Sequence, residues 1–204
     1  MSPKIPLHGT ECQLEEKGSR FISRLLPLTL ESDVRILQQQ ARDAHPKASH
    51  VVYGWRLITD KGQISEGFSD DGEPSGTSGM PVLRQLQHEN AVNSLILVVR
   101  YFGGTKLGTG GLQRAYSQAA RDALALLNTD DWAHWKARSG WQLNADFSQE
   151  GLLRRLLQEA GAEITGCDYS NTGIRIDCVL NDDCVGKVKA NLPFDIRLIQ
   201  AERD

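Results

Sequence analysis

An acidic, glycine-containing segment is the first place where the residue types could do chemistry. Residues 69–79 read Ser-Asp-Asp-Gly-Glu-Pro-Ser-Gly-Thr-Ser-Gly, which places three carboxylates and three glycines within eleven residues. Glycine tolerates the positive φ of tight turns, so this segment should form a loop that displays acids and hydroxyls. The acids could act as a general base or bind a divalent cation, or the loop could be a solvated turn that caps the next helix. The candidate residues of this acidic loop are Asp70, Asp71, Glu73, Ser75 and Thr77.

A second, basic segment combines five glycines with three cations. Residues 100–114 read Arg-Tyr-Phe-Gly-Gly-Thr-Lys-Leu-Gly-Thr-Gly-Gly-Leu-Gln-Arg and lead from a predicted strand into a predicted long helix. Free backbone N–H groups and the positive end of a helix dipole favour phosphate at such a junction. Alternatively, the glycines only permit a tight turn and the cations pair with the acidic loop. The candidate phosphate- or nucleic-acid-binding residues are Arg100, Gly103, Gly104, Lys106, Gly108, Gly110, Gly111 and Arg114.

The glycine pattern does not match the known nucleotide-binding loops. Residues 104–109 have no lysine at the penultimate place that a Walker A loop requires, and Gly108, Gly110 and Gly111 do not form GxGxxG. A hard-cation site needs further oxygen ligands, and His45 and His50 have no cysteine or acid at ligand spacing. From the sequence we assign no catalytic residue, no metal and no cofactor.

Charge and composition limit the classes of partner. The 204 residues carry a formal net charge of −3, with 14 basic against 13 acidic residues in 1–127 and 9 against 13 in 128–204. Because neither part is strongly basic, a nucleic-acid contact would need a local cationic patch. The four cysteines show no CxxC spacing, the N-terminus shows no apolar signal region, and no apolar run approaches the roughly 20 residues of a membrane span. These features predict a reduced, cytoplasmic protein with no membrane contact.

The elements that must position the two loops indicate an α+β first domain over 1–127. An N-terminal tail over 1–10 precedes alternating and apolar runs typical of strands, and residues at helical spacing predict three helices. The predicted strands are 20–28, 50–58, 63–68 and 94–101, and the predicted helices are 31–44, 79–88 and 110–127.

A linker at 128–137, rich in threonine and aspartate at its start, separates a second predicted domain at 138–204. Its predicted elements are strand 139–145, helix 149–160, strands 163–169 and 173–180, helix 182–191 and strand 195–199. This βαββαβ order is that of the ferredoxin-like split motif. The sequence therefore predicts an α+β protein with two domains.

The two loops also resemble those of a known family. Residues 70–79 are similar to the Asp-Asp-Gly-Glu-Pro-Ser-Gly-Thr-Ala-Gly stretch of the YigZ/IMPACT family. Residues 98–116 resemble its Val-Val-Arg-Tyr-Phe-Gly-Gly-x-x-Leu-Gly-x-Gly-Gly-Leu-x-x-Ala-Tyr stretch, and KGSRFI at 17–22 resembles its Lys-Ser-Arg-Phe-Ile. The match is good over 20–127, and the remainder agrees in layout with the YigZ-type C-terminal domain.

This resemblance implies a fold for each domain. The first domain would share the fold of domain IV of elongation factor G, and the second would resemble domain V of that factor. Both are ribosome-facing modules there, and eukaryotic relatives regulate translation. The expected partners are therefore RNA, the ribosome or a protein of translation.

Three functions are compatible with the residues and the resemblance. The leading hypothesis is a non-enzymatic, translation-associated protein that contacts RNA phosphate or a ribosomal or protein partner through the glycine-rich segment. The first alternative is an enzyme with a phosphate ligand, related in fold to small-molecule kinases of the GHMP type. The second alternative is a pure protein-interaction scaffold. The sequence leaves the partner, the oligomeric state and any metal at the acidic loop open.

Overall fold

A computed structural model of the chain describes residues 2–201. The chain divides into two compact units, the first containing the residues up to 59 together with 63–135, and the second containing 60–62 together with the residues from 136 onward. The strands are β1 (Lys4–Pro6), β2 (Thr10–Glu16), β3 (Ser19–Pro27), β4 (His50–Ile58), β5 (Ile64–Ser69), β6 (Ser94–Tyr101), β7 (Trp132–His134), β8 (Arg138–Ala145), β9 (Glu163–Tyr169), β10 (Ile174–Asn181) and β11 (Leu198–Gln200). The α-helices are α1 (Ser32–Ala44), α2 (Gly79–His88), α3 (Gly108–Ala125), α4 (Glu150–Glu159) and α5 (Val185–Asn191).

β6 is the central strand of the first unit. It lies in an antiparallel five-stranded sheet of order β2-β3-β6-β4-β5. Successive side chains of a strand point to opposite faces, so Ile96 packs in one core cluster with Ala119 of α3, whereas Leu97 packs in another with Val34 of α1. A continuous apolar run becomes a central strand because helices cover both of its faces. The acidic loop follows β5 and the glycine-rich segment follows β6, so both loops begin at strands of the same sheet.

The N-terminal region differs from the predicted tail over 1–10. β1 pairs antiparallel with β7, with Pro6 opposite Trp132. β2 forms an edge of the five-stranded sheet beside β3. The sequence pattern does not predict β2, because its outward residues are polar or charged and only Cys12 and Leu14 pack against the core. The hydroxyl of Thr10, at the start of β2, donates a 2.6 Å hydrogen bond to the carbonyl of Ala123.

Residues 128–137, expected to form a linker, contain regular structure. A short 3-10 turn covers Thr129–Asp131, and β7 follows it directly. Trp132 packs against the core of the first unit, and β7 is held by β1. Of the polar residues that suggested a linker, Asp131 stabilises the 3-10 turn: its carboxylate accepts the backbone N–H of Asn128 at 2.7 Å, and its own N–H donates to the Asn128 carbonyl at 3.1 Å.

The second unit has the predicted order of strands and helices. Its antiparallel four-stranded sheet runs β11-β8-β10-β9. The inward residues of β8 and β10, such as Leu143 and Ile176, pack against Leu153 and Leu157 of α4. The second helix begins at Val185 rather than residue 182, because residues 182–184 form a 3-10 turn first.

Among the helices of the described residues, none is both long enough and apolar enough to cross a bilayer.

Candidate functional site

Asp70 organises the acidic loop around its own carboxylate. Its two oxygens accept hydrogen bonds from the backbone N–H groups of Gly76 (2.7 Å), Ser78 (3.1 Å) and Gly79 (2.8 Å), and from the hydroxyl of Ser78 (2.7 Å). Burial alone would raise the pKa of Asp70, but these donors outweigh it and hold the pKa below its usual value. The carboxylate of Asp70, and not a hydroxyl of the residues just before α2, thus accepts the backbone N–H groups at the start of this helix.

Asp71 ties the same loop to α1 and β4. It has a φ of 50°, and its carboxylate forms an ion pair with Arg42. The other carboxylate oxygen accepts the backbone N–H of Val51 at 2.6 Å, and its carbonyl lies 2.8 Å from the Nδ1 of His50. Asp71 therefore holds the loop against two elements of the first unit.

Glu73 lies in the interior and pairs with Arg100. The Glu73 Oε1 accepts hydrogen bonds from Arg100 Nη1 at 2.6 Å and from the Tyr116 hydroxyl at 2.8 Å. Only 4% of the Glu73 side chain and 6% of the Arg100 side chain are exposed. Burial, together with the neighbouring Glu73 charge, raises the pKa of Tyr116, so its hydroxyl stays protonated and donates.

The Arg100 guanidinium is surrounded on its other sides as well. Its Nη2 donates to the Ser19 hydroxyl at 3.3 Å. Its central carbon, Cζ, lies 5.5 Å from the ring centre of Phe21 and 5.6 Å from that of Phe102. The structure thus places Arg100, one of the predicted phosphate ligands, in the interior beside Glu73 and not at the surface. Its position on the buried strand β6 points it inward, where its charge neutralises Glu73.

The remaining two residues of the acidic loop differ in exposure. The Thr77 hydroxyl donates 2.6 Å to the carbonyl of Pro74 and is buried, whereas Ser75 is exposed. In this geometry each of the three carboxylates already has at least one donor from the protein. Among residues 2–201, no group of three or more His, Cys, Asp or Glu side chains is arranged to hold a metal ion.

The glycine-rich segment is anchored at one end and open at the other. Gly103 approaches the backbone of Gly18 so closely that a Cβ would lie 1.9 Å from its carbonyl carbon, and the Gly103 N–H donates to Ser19 Oγ at 3.2 Å. By contrast, Gly104 and Gly108 have positive φ of 87° and 71°, and a Cβ at either would contact nothing within 4 Å. Glycine is needed at the first position for space and at the other two for backbone conformation.

The exposed part of this segment contains two of the predicted cations. Gly104, Lys106 and Arg114 are all exposed. The helix α3 begins at Gly108, and no side chain caps its N-terminus. The backbone N–H groups of Gly108, Thr109 and Gly110 precede the first intrahelical hydrogen bond and so have no intrahelical partner. The positive end of the helix dipole and two cations therefore lie in one exposed region.

Two basic residues outside the predicted set, Lys17 and Arg121, lie beside this region. A depression of about 280 Å³ next to the first turn of α3 is lined by Lys17, Gly111, Arg114 and Arg121, with Glu16 as its acidic residue. Lys17 opens the KGSRFI run, so that motif was a signal for it. Arg121 gave no motif signal, and only the turn of α3 places it on the same face as Arg114.

The comparison with known protein families covers both loops. A family model described as the Impact N-terminal domain matches residues 17–124, a span that includes the acidic loop, the glycine-rich segment and Lys17. The chain belongs to the IMPACT family. Residue Met1 and residues 202–204 lie outside the described part of the structure and outside this match.

Bacterial relatives extend the similarity beyond the first unit. An IMPACT family member of Haemophilus influenzae is 35% identical over 162 residues, which cover 78% of this chain and 76% of the relative. The IMPACT family member YigZ of Escherichia coli is 34% identical over 167 residues, which cover 82% of this chain and 79% of that protein. A crystal structure described as a hypothetical protein has 30% identity and a TM-score of 0.79, and the match covers all of both chains. The α+β fold with two domains is thus shared with a solved structure.

Proposed function

We propose that this IMPACT family member is a translation-associated binding protein that contacts RNA phosphates through the open end of its glycine-rich segment. The observation that carries this proposal is the pair of exposed cations, Lys106 and Arg114, beside the uncapped first turn of α3. Among the interactions of residues 2–201, neither cation has a carboxylate partner. Backbone donors and free cations together favour a bound phosphate.

The neighbouring aromatic residue favours a nucleic-acid strand over a free phosphate. Phe102 is half exposed at the start of the same segment, and the buried Arg100 guanidinium lies 5.6 Å from the centre of its ring. Exposed aromatic rings beside cations are the usual surface on which unpaired bases stack. The translation context comes from the resemblance of the first domain to domain IV of elongation factor G. We also propose that residues 1–127 and 138–204 form two domains and that the second domain is ferredoxin-like.

The salt dependence of RNA binding tests this proposal. With an unstructured single-stranded RNA, two phosphate contacts predict a slope of log K against log salt of about −1.4, because each contact contributes about −0.7. Lys106→Ala should make that slope less negative by about 0.7 and leave sequence preference unchanged, since a phosphate contact positions the strand without reading bases. Fluorescence anisotropy titrations over a salt series measure both.

A matched control and two opposing outcomes complete the test. Lys187→Ala removes the same charge from an exposed position on α5 and should leave the slope unchanged. Wild-type protein without salt-dependent RNA affinity would rule out the phosphate contact and leave a protein-interaction scaffold. If the wild type binds RNA with salt dependence and Lys106→Ala leaves the slope unchanged, the phosphate contact lies outside the glycine-rich segment.

A further inference from the structure

Two depressions on the first unit meet at one basic side chain. The depression of about 280 Å³ beside the first turn of α3 and a second one of about 490 Å³ beside the end of α3 are both lined by Arg121. Both consist entirely of residues of the first unit. Because they share Arg121, the two depressions are neighbours along the exposed side of α3, and together they span its residues from Gly111 to Ala125, a stretch called the path below. At 1.5 Å per residue this stretch is about 21 Å long, enough for several consecutive phosphates.

The path follows one face of the helix. Arg114, Gln118, Arg121 and Ala125 are exposed and lie four, three and four residues apart, which is the spacing of neighbours on a helix surface. The opposite face packs into the core through alanines such as Ala119. The helical repeat of α3 thus places its exposed residues in one row and its small buried residues on the opposite face.

Positive charge is concentrated along this path although the chain is acidic overall. Its lining contains the cations Lys17, Arg114 and Arg121 and, at the far end, Lys4. The acids that line it are Glu16 and Glu89, and Glu89 already accepts a 2.8 Å bond from Lys4. The acid of α3 next to Arg121, Asp122, accepts a hydrogen bond from Gln118. The lining thus carries four cations and two acids, and this local excess of positive charge favours a polyanion although the net charge of the chain is −3.

The second depression has walls that suit a nucleobase. Leu124, Leu127 and Trp132 give it apolar surface, while Asn128 and Thr129 add hydrogen-bonding groups. Its volume lies within the roughly 300 to 1,000 Å³ of small-molecule sites, so it can hold a base with its sugar. A base enters a separate pocket most readily from a single strand, because a duplex base must first be unpaired and unstacked.

We propose that single-stranded RNA runs along α3 from the glycine-rich segment to the second depression. Lys17, Arg114 and Arg121 contact consecutive phosphates, and one base occupies the depression beside Trp132. This proposal rests on the proposed function and adds the path and the kind of strand. It gives four phosphate contacts when Lys106 is included, for which the expected salt slope is about −2.8.

Arg121→Gln tests the path without touching the glycine-rich segment. The expected result is a slope less negative by about 0.7 with an unstructured RNA, because one phosphate contact is lost. Arg84→Gln is the matched control, since Arg84 is exposed on α2, lines neither depression and should leave the slope unchanged. Thermal melting of both variants confirms that they remain folded.

The base in the second depression is tested with an abasic strand of equal length and equal phosphate number. Stacking and enclosure of one base should make the normal strand bind at least about tenfold more tightly than the abasic strand. Equal affinity of the two strands would overturn the base site. Competition by polyglutamate as strong as that by RNA would overturn RNA as the partner and assign the path to an acidic protein segment.

The outcomes separate this proposal from the proposed function. If Lys106→Ala changes the salt slope and Arg121→Gln behaves like Arg84→Gln, the path along α3 is wrong and the phosphate contact at the glycine-rich segment stands. If wild-type protein binds RNA without salt dependence, both proposals fail. Loss of slope in both Lys106→Ala and Arg121→Gln supports both.

Discussion

The acidic loop and the glycine-rich segment have similar ingredients and opposite structures. Each combines glycines with charged residues and precedes a helix of the first unit. In the acidic loop, Asp70, Asp71 and Glu73 bond to donors of the protein itself. In the glycine-rich segment, Lys106 and Arg114 are exposed and have no carboxylate partner among residues 2–201.

This difference shows which charges of a loop are available to a ligand. A charged side chain that is already paired within the protein is not available to a ligand, so only the unpaired charges of a loop are candidates for binding. The buried ion pair joins Glu73 of the acidic loop to Arg100 on β6, so one charge of each segment is neutralised inside the protein. It also fixes the acidic loop to the strand after which the glycine-rich segment begins. The acidic loop is therefore the internal support of the open segment, and its variants should change stability more than binding.

Removal of Glu73 should have the largest effect on stability. Glu73→Ala leaves the Arg100 charge buried and unpaired, which costs about 3 to 5 kcal/mol of the free energy of unfolding. Urea denaturation measures this loss. The double variant with Arg100→Met should regain much of it, because no uncompensated charge remains. A loss below about 1 kcal/mol in Glu73→Ala would mean that Arg100 reaches solvent, which contradicts the closed arrangement.

Asp70→Asn should have an intermediate effect that depends on pH. At neutral pH the variant weakens four hydrogen bonds to a charged acceptor, for an expected loss of about 1 to 3 kcal/mol. Because the folded state lowers the pKa of Asp70, its stabilising contribution is present above the pKa of the unfolded chain and disappears as the pH falls through the folded value. Urea midpoints of wild type and variant should therefore converge in acid. A constant difference at all pH values would contradict the role of the carboxylate charge.

Gly110→Ala should have the smallest effect on stability, and of opposite sign. Gly110 is exposed within the first turn of α3, and an added Cβ would meet only the Arg114 side chain at 3.7 Å. Alanine in place of glycine in a helix should raise the free energy of unfolding by up to about 1 kcal/mol. RNA affinity should fall if the strand approaches this backbone closely. Raised stability with unchanged affinity would separate the glycines from ligand binding.

Much of the fold was predictable because its elements are strongly patterned. The predicted β6 and α2 coincide with the observed Ser94–Tyr101 and Gly79–His88, since a continuous apolar run and an amphipathic repeat leave few alternatives. The two strands β1 and β2 could not be predicted from local pattern. β1 is held by β7, more than a hundred residues away in sequence, and β2 buries only a few side chains.

The sequence by itself determined the family, the two loops and the apolar faces of the helices, because glycine spacing and hydrophobic periodicity are local properties. Only the tertiary structure decided which charges are internal. Arg100 and Lys106 are close in sequence, yet the inward direction of β6 buries the first and the open glycine turn exposes the second. Likewise Lys17 and Arg121, far apart in the chain, line one depression because β2, β3 and α3 pack together. Partners fixed by long-range packing leave no mark on local sequence, so the position of each charge could be known only from the fold.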